Sequence, residues 1–261
     1  MHLIKAHAYG NDFLLAPAGG AGGRDLPSLA QQLCDRHRGI GADGLMLFDE
    51  TAAGARARLL NADGSRSEVS GNGVRCLAAW LAHQRDLGAG ARVEIDTDAG
   101  PKTLTLLERR GGRGRFRASM GLPADIREET IDVAGTPITA VVLRVGNPQC
   151  VVLGHATPDR LHAIAARLAA HPFFPDGTNV ELADVEGPHR VRILIWERGV
   201  GPTLASGTGA CAAAVAAAAF GGASREIDVV SPGGTQHVEW TPDGIWLTGE
   251  AEIVADVQWL L

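Results

Sequence analysis

Lysine is almost missing from this chain: of 24 basic residues only Lys5 and Lys102 are lysines. A pyridoxal-phosphate enzyme needs a Schiff-base lysine. Neither stands in a cofactor-like motif, so pyridoxal phosphate is disfavoured, with Lys5, close to His7, the one position that keeps it open. Cysteine is sparse as well. Cys34, Cys76, Cys150 and Cys211 share no Cys-x-x-Cys spacing and make no compact disulfide framework. Three of them fall inside apolar runs, where a buried reduced thiol is the ordinary state. The nine histidines show no His-Glu-x-x-His or related metal spacing. No patch of Lys and Arg forms, and the formal net charge is −6, so nucleic acid and anionic membranes are poor partners. Long apolar runs are lacking too. Lys5, His7 and Asp12 interrupt any leader-like core near the start, and Ala210–Phe220 is too short and too alanine-rich to cross a bilayer. The expectation is a soluble cytoplasmic protein that works on a small molecule without metal or cofactor.

What is present is a core-forming composition and a repeat. With 261 residues, 45% of them apolar, the chain can bury one large core or two of ordinary size. Ser70-Gly71-Asn72-Gly73 opens an apolar stretch in the first half, and Ser206-Gly207-Thr208-Gly209 opens another in the second. Helical periodicity covers Leu26–His37, Val74–Asp86, Pro158–Ala170 and Ala210–Phe220. Strand patterns cover Arg56–Asn61, Arg92–Thr97, Thr103–Glu108 and Arg115–Met120, then Ile138–Val145, Val191–Glu197, Ile227–Val230, Gln236–Thr241 and Ile245–Thr248. Even the turns echo, with Glu94-Ile95-Asp96 and Glu226-Ile227-Asp228 each followed by a Gly/Pro turn. The plan is α/β (α+β): two pseudo-symmetric halves, each a curved, mostly antiparallel sheet or barrel around one central helix. The first half spans 1–120 and takes back the last strand, about 253–261. The second spans 121–252, with the boundary near Gly121-Leu122-Pro123.

The repeated corners carry the chemistry. Glycines let the backbone approach a ligand closely, and a helix start offers orphan N–H groups with the positive end of the dipole. Such a corner suits a carboxylate or a developing enolate. One Ser-Gly corner alone is an ordinary helix N-cap; two that match, with polar motifs beside them, point to a ligand. Asn11, Asn61, Asn147 and Asn179 stand at strand edges or turns, where a single Asn usually serves the turn. Taken together with Glu197 and Arg198, they would ring a zwitterion, Arg198 gripping a carboxylate and Glu197 an ammonium. The segment Gly39-Ile40-Gly41-Ala42-Asp43-Gly44 has glycines but no Gly-Lys-Ser/Thr ending and no Rossmann context, so a nucleotide loop is rejected.

These motifs together resemble the diaminopimelate epimerase family, nearly end to end. The matching segments are HAYGNDF (7–13), DRHRGIGADG (35–44), NADGSRSEVSGNGVRC (61–76), GNPQC (146–150), FPDGTNVE (174–181), WERGVGPTLASGTGACA (196–212) and LTGEAE (247–252). The resemblance implies a cofactor-independent enzyme that inverts the α-carbon of diaminopimelate between LL and meso forms for lysine and cell-wall synthesis. It also implies two similar domains closing over the substrate, commonly as a homodimer. Ser70 and Ser206 would occupy the acid/base positions, facing one another across a sealed pocket. The Gly71/Asn72 and Gly207/Thr208 amides would hold the α-carboxylate. Asn61, Asn147, Asn179, Glu197 and Arg198 would read the distal end, with Asn11 and Gly44 beside them and Gln149 and Glu197 in support.

At the two key positions the chain departs from its relatives. The resemblance places cysteine before both Gly-x-Gly corners, one working as thiolate and one as thiol; here both are serine. A thiol ionises near pKa 8.5, whereas an alcohol, with water's value of roughly 15.7 as proxy, lies about seven units higher, on the order of 10 kcal/mol. Cys76 and Cys211 do not substitute, because helix geometry carries them away from the helix mouth. The family also usually has His after Asn-Pro; Gln149 hydrogen-bonds but does not titrate. Two origins account for the serines: an engineered Cys→Ser pair that traps substrate, or natural divergence, which Gln149 favours. The expected function is the epimerase, with turnover lowered or silenced by serine. The alternatives are a binding protein for a diaminopimelate-like zwitterion and a racemase of this fold for another amino acid.

Overall fold

The computed structural model describes residues 1–68 and 70–260. Val69, inside the 61–76 motif, and Leu261, the end expected for the last strand, lie outside the described residues. The chain divides into two units, residues 1–118 with 249–261, and residues 119–248.

In the first unit, β1 (His2–Ala8) and β2 (Asn11–Pro17) form a hairpin through Tyr9-Gly10. Both turn residues have positive φ (57° and 86°), as a two-residue primed turn demands. A short 3₁₀ turn and α1 (Leu26–Cys34) lead to β3 (Gly44–Glu50), parallel to β2. β4 (Gly54–Asn61) and the two-residue β5 (Arg66–Ser67) bring the chain to α2 (Gly71–Gln84). β6 (Arg92–Thr97), β7 (Gly100–Arg110) and β8 (Arg113–Gly121) follow. β4 pairs with β6 in parallel, and β8 pairs with the final strand, β17 (Gly244–Gln258), which pairs back with β1. These pairings close an eight-stranded barrel.

The second unit repeats the wiring. β9 (Ala124–Val133), β10 (Thr136–Val145) and β11 (Asn147–Leu153) pair antiparallel, and α3 (Pro158–Ala169) connects β11 to its parallel neighbour β12 (Asn179–Gly187). β13 (Arg190–Glu197) and the short β14 (Gly201–Thr203) lead into α4 (Gly207–Phe220). β15 (Glu226–Ser231) then returns parallel to β13, and β16 (Gly234–Thr241) pairs with the start of β17.

Strand parity explains the layering. Phe13, Leu15, Met46, Phe48, Ala57 and Leu59 pack around α2, while Leu14, Ala16, Leu45, Leu47 and Leu60 pack against α1. In the second unit Val151, Ala183, Val191, Ile193 and Ile195 surround α4, and Cys150, Val152, Val180 and Leu182 meet α3. Successive side chains on a strand point to opposite faces, so one run of alternating apolar residues serves two helices. α4 reads Gly-Thr-Gly-Ala-Cys-Ala-Ala-Ala-Val and is buried on every side from Ala210 to Ala217. A helix apolar all round belongs in a core, and alanine lets the strands come close.

Several elements differ from the sequence reading. The first helix stops at Cys34 rather than His37, because the Asp35 carboxylate takes the N–H groups of His37 and Arg38 at 2.8 and 2.9 Å. α2 and α4 begin at Gly71 and Gly207, three residues earlier than the apolar periodicity. β9, β11 and β12 were not anticipated: Pro148, Gln149, Glu181 and the charges of 124–132 interrupt their alternation. β17 is one continuous strand where two were read. Gly249 does not break it; a Cβ there would stand 3.2 Å from the Tyr9 ring and 3.3 Å from the Arg75 guanidinium, so glycine permits a close approach.

Candidate active site

Where each central helix begins, the inward face of the surrounding strands turns from apolar to polar. In the second unit the inward positions of β11 read Val151, Gln149, Asn147, and those of β12 read Ala183, Glu181, Asn179. Along β13 they run Val191, Ile193, Ile195, Glu197. The apolar members touch α4. The polar members continue the same faces, Gln149 beside Asn179 across β11 and β12, to the start of α4, where Glu181 lies against Gly209.

Ser206 caps α4 from an extended backbone (φ −136°, ψ 131°), and its Oγ accepts the Gly209 N–H at 3.2 Å. It is 4% exposed, and its Oγ lies 3.5 Å from Thr208 Oγ1. Gln149 Nε2 donates to Asn147 Oδ1 at 2.6 Å, and Asn179 Oδ1 accepts the Arg198 backbone N–H at 3.0 Å. The Arg198 guanidinium donates to the Asp176 carbonyl, which steers this side chain but uses only part of its fork of donors.

The first unit has the same layout on other residues. Ser70 caps α2, its Oγ accepting Gly73 N–H at 3.1 Å. Asn11 Oδ1 accepts from Asn72 Nδ2 at 3.1 Å, and Asn11 Nδ2 donates to Asp43 Oδ2 at 2.8 Å. The Arg75 guanidinium reaches Asn72 Oδ1. Asn61 Nδ2 donates to Ser65 Oγ at 2.9 Å, directly across the ladder from Gly44. A Cβ on Gly44 would stand 2.9 Å from the Leu60 carbonyl, so only glycine fits there. Behind Asn11, Asp12 is held by Lys5 and Arg36; these bonds outweigh its burial and lower its carboxyl to about 2. Lys5 gives its ammonium to Asp12 and to the Gly41 carbonyl.

Thus Asn11, Gly44, Asn61, Ser70, Gly71 and Asn72 gather at one end of the first unit. Asn147, Gln149, Asn179, Glu197, Arg198, Ser206, Gly207 and Thr208 gather at the corresponding end of the second. All four cysteines are buried reduced thiols. Burial pushes Cys76 up to about 12 and Cys150 well up from its ordinary value, so neither supplies a thiolate at neutral pH. Among the described residues no group of three or more His, Cys, Asp or Glu side chains is placed to hold a metal ion.

One residue escaped the sequence reading. Glu181, inside the 174–181 motif, is 0% exposed on the inward face of β12. Burial, and then the Glu197 charge, raise its carboxyl well above the ordinary range. Its signal was present: two positions beyond Asn179 on an alternating strand, it had to share that residue's face.

A model of diaminopimelate epimerase matches residues 3–123 and 141–254. The chain belongs to the diaminopimelate epimerase family. The diaminopimelate epimerase of Desulforudis audaxviator is 38% identical, over 100% of this chain and 99% of the relative. That of Moorella thermoacetica is 37% identical over 96% of each. In fold the chain is similar to a hydroxyproline epimerase from Agrobacterium vitis with bound trans-4-hydroxy-L-proline. The TM-score is 0.74 at 17% identity, covering 98% of this chain and 91% of that one.

Proposed function

We propose that this member of the family is an isomerase that interconverts LL- and meso-diaminopimelate by two-base proton transfer at the α-carbon. The supporting observation is the repeated site: in each unit a buried helix starts at a serine cap, with glycine-freed amides and an arc of inward-facing Asn side chains. Ser206 would serve one face of the α-carbon and Ser70 the other. The first-turn amides of α2 and α4 would hold the α-carboxylate and the charge that develops beside it. Arg198, Glu197 and the asparagines would read the distal amino-acid end, with Gln149 in support. The reading needs neither metal nor cofactor and carries over from the family a cytoplasmic homodimer, checked by light scattering.

A second reading rests on the serines themselves. An alcohol is a far weaker proton carrier than a thiol, and a site that kept its binding groups while losing acid/base power would close on the zwitterion without turning it over.

Incubation with LL-diaminopimelate in deuterated water separates the cases. Deuterium at the α-carbon with formation of the meso isomer supports the epimerase. Calorimetric binding without exchange supports the silent binder. Absence of both points to another amino acid and overturns the assignment of substrate.

A further inference from the structure

The two halves of the site differ beneath the helix caps. In the first unit a Cβ on Gly73 would stand 2.7 Å from Met46 Cε, 3.3 Å from Ser70 Cβ and 3.4 Å from the Phe13 ring. In the second, a Cβ on Gly209 would stand 2.6 Å from Glu181 Oε1 and 3.2 Å from Ser206 Cβ. The registers make these positions equivalent: Phe13 faces Gly44 across β2 and β3 as Gln149 faces Asn179 across β11 and β12. Met46 and Glu181 lie two residues further along. The apolar pair Phe13 and Met46 is therefore replaced by the polar pair Gln149 and Glu181 beneath Ser206.

That replacement is costly unless it is used. Among the described residues neither carboxyl oxygen of Glu181 has a hydrogen-bond partner, nor does Gln149 Oε1, although both side chains are fully buried. Buried polar groups are almost always satisfied, and an exception calls for a reason. Packing does not supply one, because the first unit fills the same position with methionine. Glu181 faces the first turn of α4 at Gly209, the residue whose N–H is capped by Ser206, and the Glu197 charge acts on it; Gln149 on β11 and Glu197 on β13 share its inward face. No cation bonds its carboxyl among the described residues, and burial, with the Glu197 charge, favours its protonated form.

Resting on the epimerase reading above, we infer that Glu181 is the proton relay behind Ser206, so that the serine transfers protons while remaining an alcohol. When Ser206 acts as acid, its hydroxyl proton passes to the carbanion and the carbanion's electron pair becomes the new C–H bond. In the same step the Glu181 carboxyl, turned from its unpartnered position onto Ser206 Oγ when substrate is bound, gives its proton to that oxygen. Glu181 is left as carboxylate against the positive end of α4, which favours it there. In the reverse direction the α-proton goes to Ser206 Oγ, the serine proton goes to the Glu181 carboxylate, and the C–H pair stays on carbon. No alkoxide forms in either direction. Glu181 touches substrate only through Ser206 and is a positioning residue in that sense.

The test uses the full chain and LL-diaminopimelate in deuterated water. Glu181→Gln keeps the shape and removes the titration. It is expected to lower the kcat of α-hydrogen exchange by about 10²-fold or more, the usual worth of a positioned acid–base, with KM little changed. The limb of the pH profile that belongs to Glu181 disappears, and Glu181→Asp restores part of the rate. Unchanged kcat and an unchanged pH profile in Glu181→Gln overturn the relay. A second measurement does not depend on turnover: the carboxyl of Glu181 is titrated by carbon-13 NMR, assigned by its loss in Glu181→Gln, in the unsubstituted chain and in Ser206→Ala. A midpoint that moves when the serine hydroxyl is removed supports the relay; one that stays overturns it. If the unsubstituted chain shows no exchange, the proposed activity falls while this titration still decides the role of Glu181.

Discussion

Ser70 and Ser206 accept nearly the same helix-cap bond, 3.1 and 3.2 Å from the third residue's N–H, yet only one has a carboxyl beneath it. As N-caps they contribute about 1 kcal/mol each to their helices; in the proposed acid/base role they are limited by alcohol chemistry. The double variant Ser70→Cys with Ser206→Cys is therefore expected to raise α-hydrogen exchange on LL-diaminopimelate by two or more orders of magnitude. It should cost about 1–2 kcal/mol in urea unfolding, because sulfur caps poorly. No gain in exchange would mean the site has been rebuilt for another reaction. Glu181 also predicts a pH effect with a definite sign. It holds its proton more tightly folded than unfolded, where glutamate titrates near about 4.3. Stability therefore falls as pH rises from there toward the folded midpoint, by at most about 1.4 kcal/mol per pH unit. Glu181→Gln lacks this loss, so its unfolding free energy should gain on that of the unsubstituted chain as pH rises above about 4.3. Parallel curves would contradict a buried protonated carboxyl.

At the scale of elements, the starts of α2 and α4 set how much room the caps have. Alanine is the better helix former by roughly 1 kcal/mol, so the outcome at each glycine depends on what its new methyl meets. At Gly73 it meets the flexible end of Met46, and Gly73→Ala should stay within about 1 kcal/mol of the natural stability. At Gly209 it meets the Glu181 carboxyl 2.6 Å away, and Gly209→Ala should lose about 1–3 kcal/mol and most of the exchange activity. Urea melts of both variants check this; equal losses would contradict the unequal packing. The helices and the hairpins after them were legible because alanine runs, Gly/Pro turns and helical periodicity are local signals. β11 and β12 were not, because Gln149, Asn179 and Glu181 put polar residues at inward positions where a core strand carries apolar ones. The alternation fails where the strands reach the candidate site, so the residues that hid these elements are the ones on which the proposed function rests. Arg198 stood out in the sequence as a candidate, but its bond to the Asp176 carbonyl did not, because it depends on a loop 22 residues away in sequence.

At the scale of the whole molecule, the duplication is a chain that changes unit twice, within β8 and within β17. Residues 249–258 close the first barrel by lying between β1 and β8. Deleting the chain after Thr248 should expose two long unpaired strand edges and lead to aggregation or loss of cooperative unfolding of the first unit. A soluble truncated chain with an intact first-unit transition would contradict that role. The proposal that Ser70 and Ser206 serve one α-carbon requires each hydroxyl to handle a different face, so the first turnovers of LL-diaminopimelate in deuterated water test the account most directly. Two separate proton carriers predict meso product with deuterium at the inverted carbon while the remaining LL substrate keeps its hydrogen. Equal early deuteration of recovered LL substrate and meso product, or inversion without any deuterium, would contradict it.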